Sequence, residues 1–351
     1  MDSEELRIGR LVCQFLLQPD ERMAVVRAMN GFQAQFLSNA MHAMRLRSMD
    51  FDADHAADGL VKSWTLRGTM HVFAEDDLPL FLHNDCRYHS RDWTVPSFWN
   101  QRPDWALTPQ RQAYFSDLIV DTLTQGPMTR EALKASCRAA GMTEAEESSM
   151  FHPWGGGIRE LCERGFLCGV VSEEKAFRLC PSFTPMARED ALLEQLRRYF
   201  RGYGPASVKD AAYYFGMTQT AMKRLLPQLP LCRDTCGEET LYWLGSEHEP
   251  AADQALPDCL FLAGFDPLML GYEKKRNIFL PQAYLRGIFS LSGIVMPPVL
   301  LHGTVAGRWK RSGRRLQITR FRTFTLEERR STEQTAERIW GDAVTPVWLD
   351  A

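Results

Sequence analysis

The chain has 351 residues, of which 45% are apolar and 24% charged, an ordinary globular composition with enough length for about two to four domains. Its start, MDSEELRIGR, lacks an apolar run before a small-residue cleavage site, and no window holds the ~20 uninterrupted apolar residues of a membrane span. A cytoplasmic chain with no membrane partner is expected. Nine cysteines, odd in number and without a Cys-x-x-Cys pair, read as reduced thiols rather than a disulfide framework or a zinc site, and no cofactor or metal is expected.

In chain order, apolar periodicity predicts helices over Leu6–Leu17, Arg22–Ala28 and Asn39–Arg47, then two short strands, Val61–Leu66 and Thr69–Phe73, around Arg67-Gly68. A Pro-containing stretch, Val95–Gln110, follows. Next, Ser116–Thr124 reads as a helix broken by Gly126-Pro127, Thr129 caps a helix over Arg130–Ala139, and a third helix covers Gly157–Arg164. A hairpin from Gly165 to Leu179 closes this segment. The plan then repeats: a helix over Ala191–Tyr203, Gly204-Pro205, a Ser207-capped helix over Val208–Phe215, a Thr218-capped helix to Leu226, and a hairpin from Leu231 to Leu244 with Gly237 near its tip.

Three helices and a hairpin in this order make the winged-helix form of the helix-turn-helix. The N-terminal segment has a related, less regular pattern. The expected fold is therefore α+β, with three tandem winged-helix modules over residues 1–95, 110–185 and 186–246. A polar linker, Glu247–Asp258, leads to a β-rich basic domain over 258–351, where Pro298–Leu301, Val305–Lys310 and Arg315–Thr323 form a meander. Alternation on its middle strand places Val305, Gly307 and Trp309 on one face and Arg308 and Lys310 on the other.

Net charge is −3, yet its distribution is uneven. Between Lys274 and Arg322 there is no Asp or Glu, while Lys274, Lys275, Arg276, Arg286, Arg308, Lys310, Arg311, Arg314, Arg315, Arg320 and Arg322 are basic. A purely basic stretch in an otherwise acidic chain gives one face that attracts a polyanion while the body stays soluble. The two expected hairpin tips are acidic instead, with Glu173-Glu174 and Glu238-Glu239, so those modules are expected to act as scaffold, with DNA contact concentrated elsewhere.

The sequence contains no phosphate-binding Gly-x-x-x-x-Gly-Lys-Ser/Thr loop, dinucleotide Gly-x-Gly-x-x-Gly, zinc-binding His-Glu-x-x-His or Gly-x-Ser-x-Gly elbow. What stands out is Gly31-Phe32-Gln33-Ala34-Gln35 before the amphipathic segment Asn39–Arg47. Glutamines at i and i+2 face one side of an extended segment and offer donors and acceptors to a single spot, although such residues also serve as caps or solvated side chains.

Four motifs resemble one family. They are Gly31-Phe-Gln33-Ala-Gln35, Trp64-Thr-Leu-Arg67-Gly68-Thr69-Met-His71, Phe265-Asp266-Pro-Leu-Met-Leu-Gly271-Tyr272 and Gly303-Thr-Val-Ala-Gly307-Arg-Trp309-Lys310-Arg311. In this order, over nearly the whole chain, they resemble the winged-helix DNA-binding domain family of the AlkZ/YcaQ-type DNA glycosylases. The resemblance implies a C-shaped arrangement of winged-helix modules around duplex DNA and a monofunctional DNA glycosylase in DNA repair, a hydrolase that excises bulky N-alkylated purines and, in some members, unhooks interstrand crosslinks. It also implies that Gln33 and Gln35 are catalytic. Arg67 and His71 are candidate phosphate contacts, or else an acid-paired arginine and a partly buried histidine. Arg308, Lys310 and Arg311 are candidate backbone contacts, and Trp309 is expected to pack. Asp266 is expected to fix the turn before Pro267, the alternative being a catalytic carboxylate. A monomer binding double-stranded DNA is expected; a non-catalytic winged-helix DNA-binding protein is the alternative.

Overall fold

The computed structural model describes residues 1–82, 88–245, 254–341 and 344–351; Cys86 and residues 247–253 of the expected linker lie outside them. The chain divides into two units, one built from Met1–Ala53 with Leu196–Ala351 and the other from Asp54–Gln195. The first unit is therefore discontinuous.

In the second unit, strands Leu60–Trp64 and Met70–Ala74 pair antiparallel around the turn Leu66–Gly68, and helices Pro109–Thr122, Arg130–Ala139, Glu144–Met150 and Gly156–Glu163 precede strands Leu167–Gly169 and Ala176–Leu179. Thr129 caps its helix as expected, its Oγ1 accepting from the Ala132 N–H at 3.1 Å. The helix Glu144–Met150 was not expected. Its signal is a capping box, in which Thr143 Oγ1 accepts from Glu146 N–H and the Glu146 carboxylate accepts from Thr143 N–H. Phe115, Ile119, Leu133, Met150, Ile158, Leu161 and Phe177 close the core between these helices and the hairpin.

The first unit repeats the plan. Helix Arg188–Gly202 enters it, followed by Val208–Phe215, Gln219–Leu225 and the hairpin Cys232–Cys236 with Glu239–Trp243. Ser207 and Asp210 form a reciprocal capping box. The two copies share a detail beyond element order: the two residues before the capped helix add a short strand to the hairpin's second strand. Met128 pairs with Phe177 and Thr129 with Ala176 in one copy; Ala206 pairs with Tyr242 and Ser207 with Leu241 in the other.

The C-terminal meander is present as Pro298–Leu301, Thr304–Ser312 and Arg315–Arg320, flanked by strands Cys259–Phe261 and Thr345–Asp350. That last strand runs parallel to Arg315–Arg320, with Ile318 opposite Trp348, and a parallel neighbour needs a crossover. Helix Leu326–Trp340 supplies it. The sequence reading took this region as β-rich and missed the helix, although Thr325 and Glu328 form a capping box at its start. The expected alternation on Thr304–Ser312 also needs correction. Val299 pairs with Gly307 but Leu300 pairs with Val305, so Ala306 is an extra residue in a bulge, and Val305 and Ala306 are both buried.

Candidate active site and nucleic-acid interface

Helix Arg22–Ala28 ends at Asn30 and Gly31, both left-handed with φ of 55° and 76°, and the Gly31 N–H donates to Val26 O at 2.9 Å. This 6→1 bond is a Schellman-type stop, for which a glycine suits the second position. The chain leaves it extended. Phe32 and Ala34 are buried while Gln33 is partly exposed and Gln35 exposed, so the two amides occupy the outward positions of a period-two segment. Helix Leu37–Arg45 follows directly.

Three successive residues of one loop dock along this helix, from its start to just beyond its end. An added Cβ at Gly264 would meet Asn39 Nδ2 at 2.7 Å and Val295 O at 3.1 Å, so a larger residue would displace the Asn39 amide. Phe265 stacks on Phe36, with ring centroids 6.0 Å apart and planes at 30°. Asp266 pairs with Arg47 at 2.7 Å, both side chains at 0% exposure. The Asp266 carboxylate accepts from both terminal nitrogens of Arg47, from Leu268 N–H at 2.9 Å and from Ala263 N–H at 3.3 Å. A buried carboxylate saturated by four donors is not placed to take a proton from water; it builds the turn before Pro267, as expected.

From Arg47 the hydrogen bonds run on to the end of the helix that precedes the glutamine segment. Arg47 donates to Gln14 Oε1 at 3.3 Å, Gln14 Nε2 donates to the Tyr272 hydroxyl at 3.1 Å, that hydroxyl donates to Tyr203 O at 3.0 Å, and the Tyr203 hydroxyl donates to Met29 O at 3.0 Å. The last acceptor lies at the end of the helix that leads into Gln33. Burial raises the Tyr272 phenol pKa, which keeps it a neutral donor. Arg10 lies over the Tyr272 ring at 3.9 Å and pairs with Asp210 at 3.3 Å, both nearly buried.

In the other unit, Arg67 sits exposed at φ 55° in the turn between its two strands, followed by Gly68 at φ 66°. His71 is 3% exposed, and its Nδ1 lies 3.0 Å from Thr69 O. Burial, helped by the Arg67 charge, pushes its pKa down to about 3, so the imidazole is neutral at pH 7. A neutral ring withdrawn from solvent is not placed as a phosphate contact. The exposed member of the expected pair is Arg67.

The basic stretch sorts itself by partner. Arg276 pairs with Glu239 at 2.6 Å, Arg320 with Asp350 at 2.7 Å and Arg322 with Glu328 at 2.6 Å. Lys310, Arg311, Arg314 and Arg315 are instead exposed around the turn at Ser312-Gly313. Arg308 is half-buried and donates to Gly287 O at 3.3 Å. Trp309 packs as expected: its Nε1 donates to Leu262 O at 2.7 Å, and its ring meets His42, Phe261 and Trp340. Among the described residues there is no cluster of three or more His, Cys, Asp or Glu side chains placed to hold a metal, and no helix long and apolar enough to cross a membrane.

A family model described as DNA glycosylase AlkZ-like matches residues 26–340. The chain belongs to the AlkZ-like DNA glycosylase family. An interstrand DNA cross-link repair glycosylase from Streptomyces sahachiroi is 24% identical over 316 residues, covering 85% of this chain and 84% of that protein. The solved structure of the Streptomyces sahachiroi DNA glycosylase AlkZ superposes with a TM-score of 0.75 at 21% identity, covering 98% of each chain, and so shares its mixed α+β fold.

In this AlkZ-like chain the sequence reading missed what supports the glutamine segment. Gln14, Arg47, Tyr203 and Tyr272 come from four separate stretches, and no local spacing connects them. Arg314 and Arg315 were visible only as members of the basic run; Arg276, Arg320 and Arg322 are set apart by the carboxylates they hold, Glu239, Asp350 and Glu328.

Proposed function

We propose that this chain is a monofunctional DNA glycosylase that excises bulky N-alkylated, cationic purines from double-stranded DNA and unhooks crosslinks of the same chemistry, with Gln33 and Gln35 as its catalytic residues. The observation that carries this reading is the state of the motif residues. Asp266 is consumed by Arg47 and by its turn, while the two amides occupy the outward positions of their own extended segment. An amide orients water but takes no proton at neutral pH. An N7-alkylated purine departs with the electrons of the C1′–N9 bond and becomes neutral, so it needs little acid assistance. The water added at C1′ releases its proton to solvent. Holding that water and the developing sugar cation is a matter of position and electrostatics.

The wider reading has three winged-helix modules over residues 1–95, 110–185 and 186–246 before the domain 258–351, acting as a monomer. The shared short-strand pairing in the second and third supports it. Arg67, Lys310 and Arg311 contact phosphates, joined by Arg314 and Arg315, with Arg308 contributing from its half-buried position. His71 holds the turn that carries Arg67 rather than touching DNA. The relative named for cross-link repair supports crosslinked DNA as a substrate.

The test is single-turnover cleavage of duplex carrying N7-alkylguanine, with abasic sites revealed by alkali. Gln33→Ala/Gln35→Ala should cleave roughly 10²–10³ times more slowly, the scale for losing one preorganised polar contact, with little change in duplex binding. Wild-type cleavage by the double variant would remove these residues from the mechanism. Binding without cleavage by the wild type would favour a non-catalytic DNA-binding protein.

A further inference from the structure

Phe36 directly follows Gln35, so its Cα is one peptide unit, about 3.8 Å, from that of the glutamine. It is 47% exposed, although it borders a segment where Phe32, Ala34 and Leu37 are all buried. One side of its ring is supported by Phe265, itself only 5% exposed. Phe265 holds a backbone φ of 57°, a left-handed conformation that is costly for a bulky aromatic residue. That conformation is locked from both sides. Gly264 fits tightly against Asn39, Asp266 is pinned by Arg47, and the Phe265 N–H donates to Val295 O at 3.2 Å. Burial alone does not account for the arrangement, because the loop's strain and its buried ion pair serve to back a ring that remains half in water. A flat apolar surface beside two water-orienting amides suits a flat apolar ligand.

We propose that Phe36, backed by Phe265, is a specificity-determining platform that stacks an aromatic N-substituent of the alkylated purine, so that this enzyme prefers lesions with aryl or arylmethyl adducts over those with small alkyl groups. The inference rests on the glycosylase reading and adds the substrate class. Stacking on one exposed ring favours any aromatic substituent without hydrogen-bond readout, so the preference follows the adduct's flat area rather than its polar groups.

The experiment compares single-turnover excision of N7-benzylguanine and N7-methylguanine from the same duplex. The full chain should favour the benzyl lesion by about tenfold, within the range of one base–aromatic stack. Phe36→Ser should reduce that ratio to near one, and Phe36→Tyr should retain it. A ratio unchanged in a Phe36→Ser protein that melts like the wild type would overturn the platform, as would a wild type with no benzyl preference. Excision of neither lesion by the wild type would instead overturn the glycosylase reading itself.

Discussion

His71 shows how a residue chosen for contact with DNA becomes one defined by its surroundings. Its pKa is pushed down to about 3 from an ordinary value near 6.5, so between these values the unfolded chain binds a proton that the folded chain does not. Stability contributed by this group is therefore complete above about pH 6.5 and is lost as pH falls toward 3, with a slope of up to about 1.4 kcal/mol per pH unit. Replacing His71 with Gln should flatten the pH dependence of urea unfolding between pH 6.5 and 5. Glu146 and Glu328, pushed down to about 2 by their arginine partners, act over a lower window below about pH 4.5. Parallel curves for wild type and His71→Gln would show that the imidazole is solvated after all.

At the scale of elements, the glutamine segment is held by the contact between helix Leu37–Arg45, with the residues just beyond it, and the loop Gly264–Asp266. A fully buried pair is sensitive to loss of one partner because the remaining charge is stranded. Asp266→Ala should therefore destabilise the fold by about 3–5 kcal/mol in urea titrations. Arg47→Met/Asp266→Asn, which removes the charge while keeping a capping side chain at 266, should be clearly more stable than Asp266→Ala. If the two variants unfold together, the stranded charge is not the source of the cost. A capping box also marks the two missed helices longer than one turn, Glu144–Met150 and Leu326–Trp340. Those boxes were legible in principle, but a short helix with little apolar periodicity and a helix inside a run of strands were both hidden by their context.

For the whole molecule, charge is the relevant quantity. The net −3 conceals a basic stretch from Lys274 to Arg322, in which Arg276, Arg320 and Arg322 are ion-paired while Lys275 and Arg286 are exposed and Lys310, Arg311, Arg314 and Arg315 are exposed together around one turn. Each phosphate contact contributes about 0.9 to the slope of log affinity against log salt. Lys310→Ala/Arg311→Ala should therefore flatten that slope by about 1.8 for undamaged duplex. Arg320→Ala, which removes a paired arginine, should change it by much less. An unchanged slope in the double variant would place the DNA contact elsewhere in the chain.

The sequence by itself determined the repeated order of helix, Gly-Pro break, capped helix and hairpin, because capping, Gly-Pro breaks and period-two alternation act over a few neighbouring residues. It also determined the four motifs and the basic run, which are properties of residue type and order. Tertiary structure alone decided which charges are ion-paired, since Arg276 and Arg311 are equivalent as letters and folding brings Glu239 to Arg276, whereas Arg311 donates to Gly313 O. It decided that Asp266 is a structural anion, because Arg47 is distant in sequence and only folding brings the two together out of water. It also decided the bulge at Ala306, where pairing with a neighbouring strand overrides the alternation that each strand would show alone.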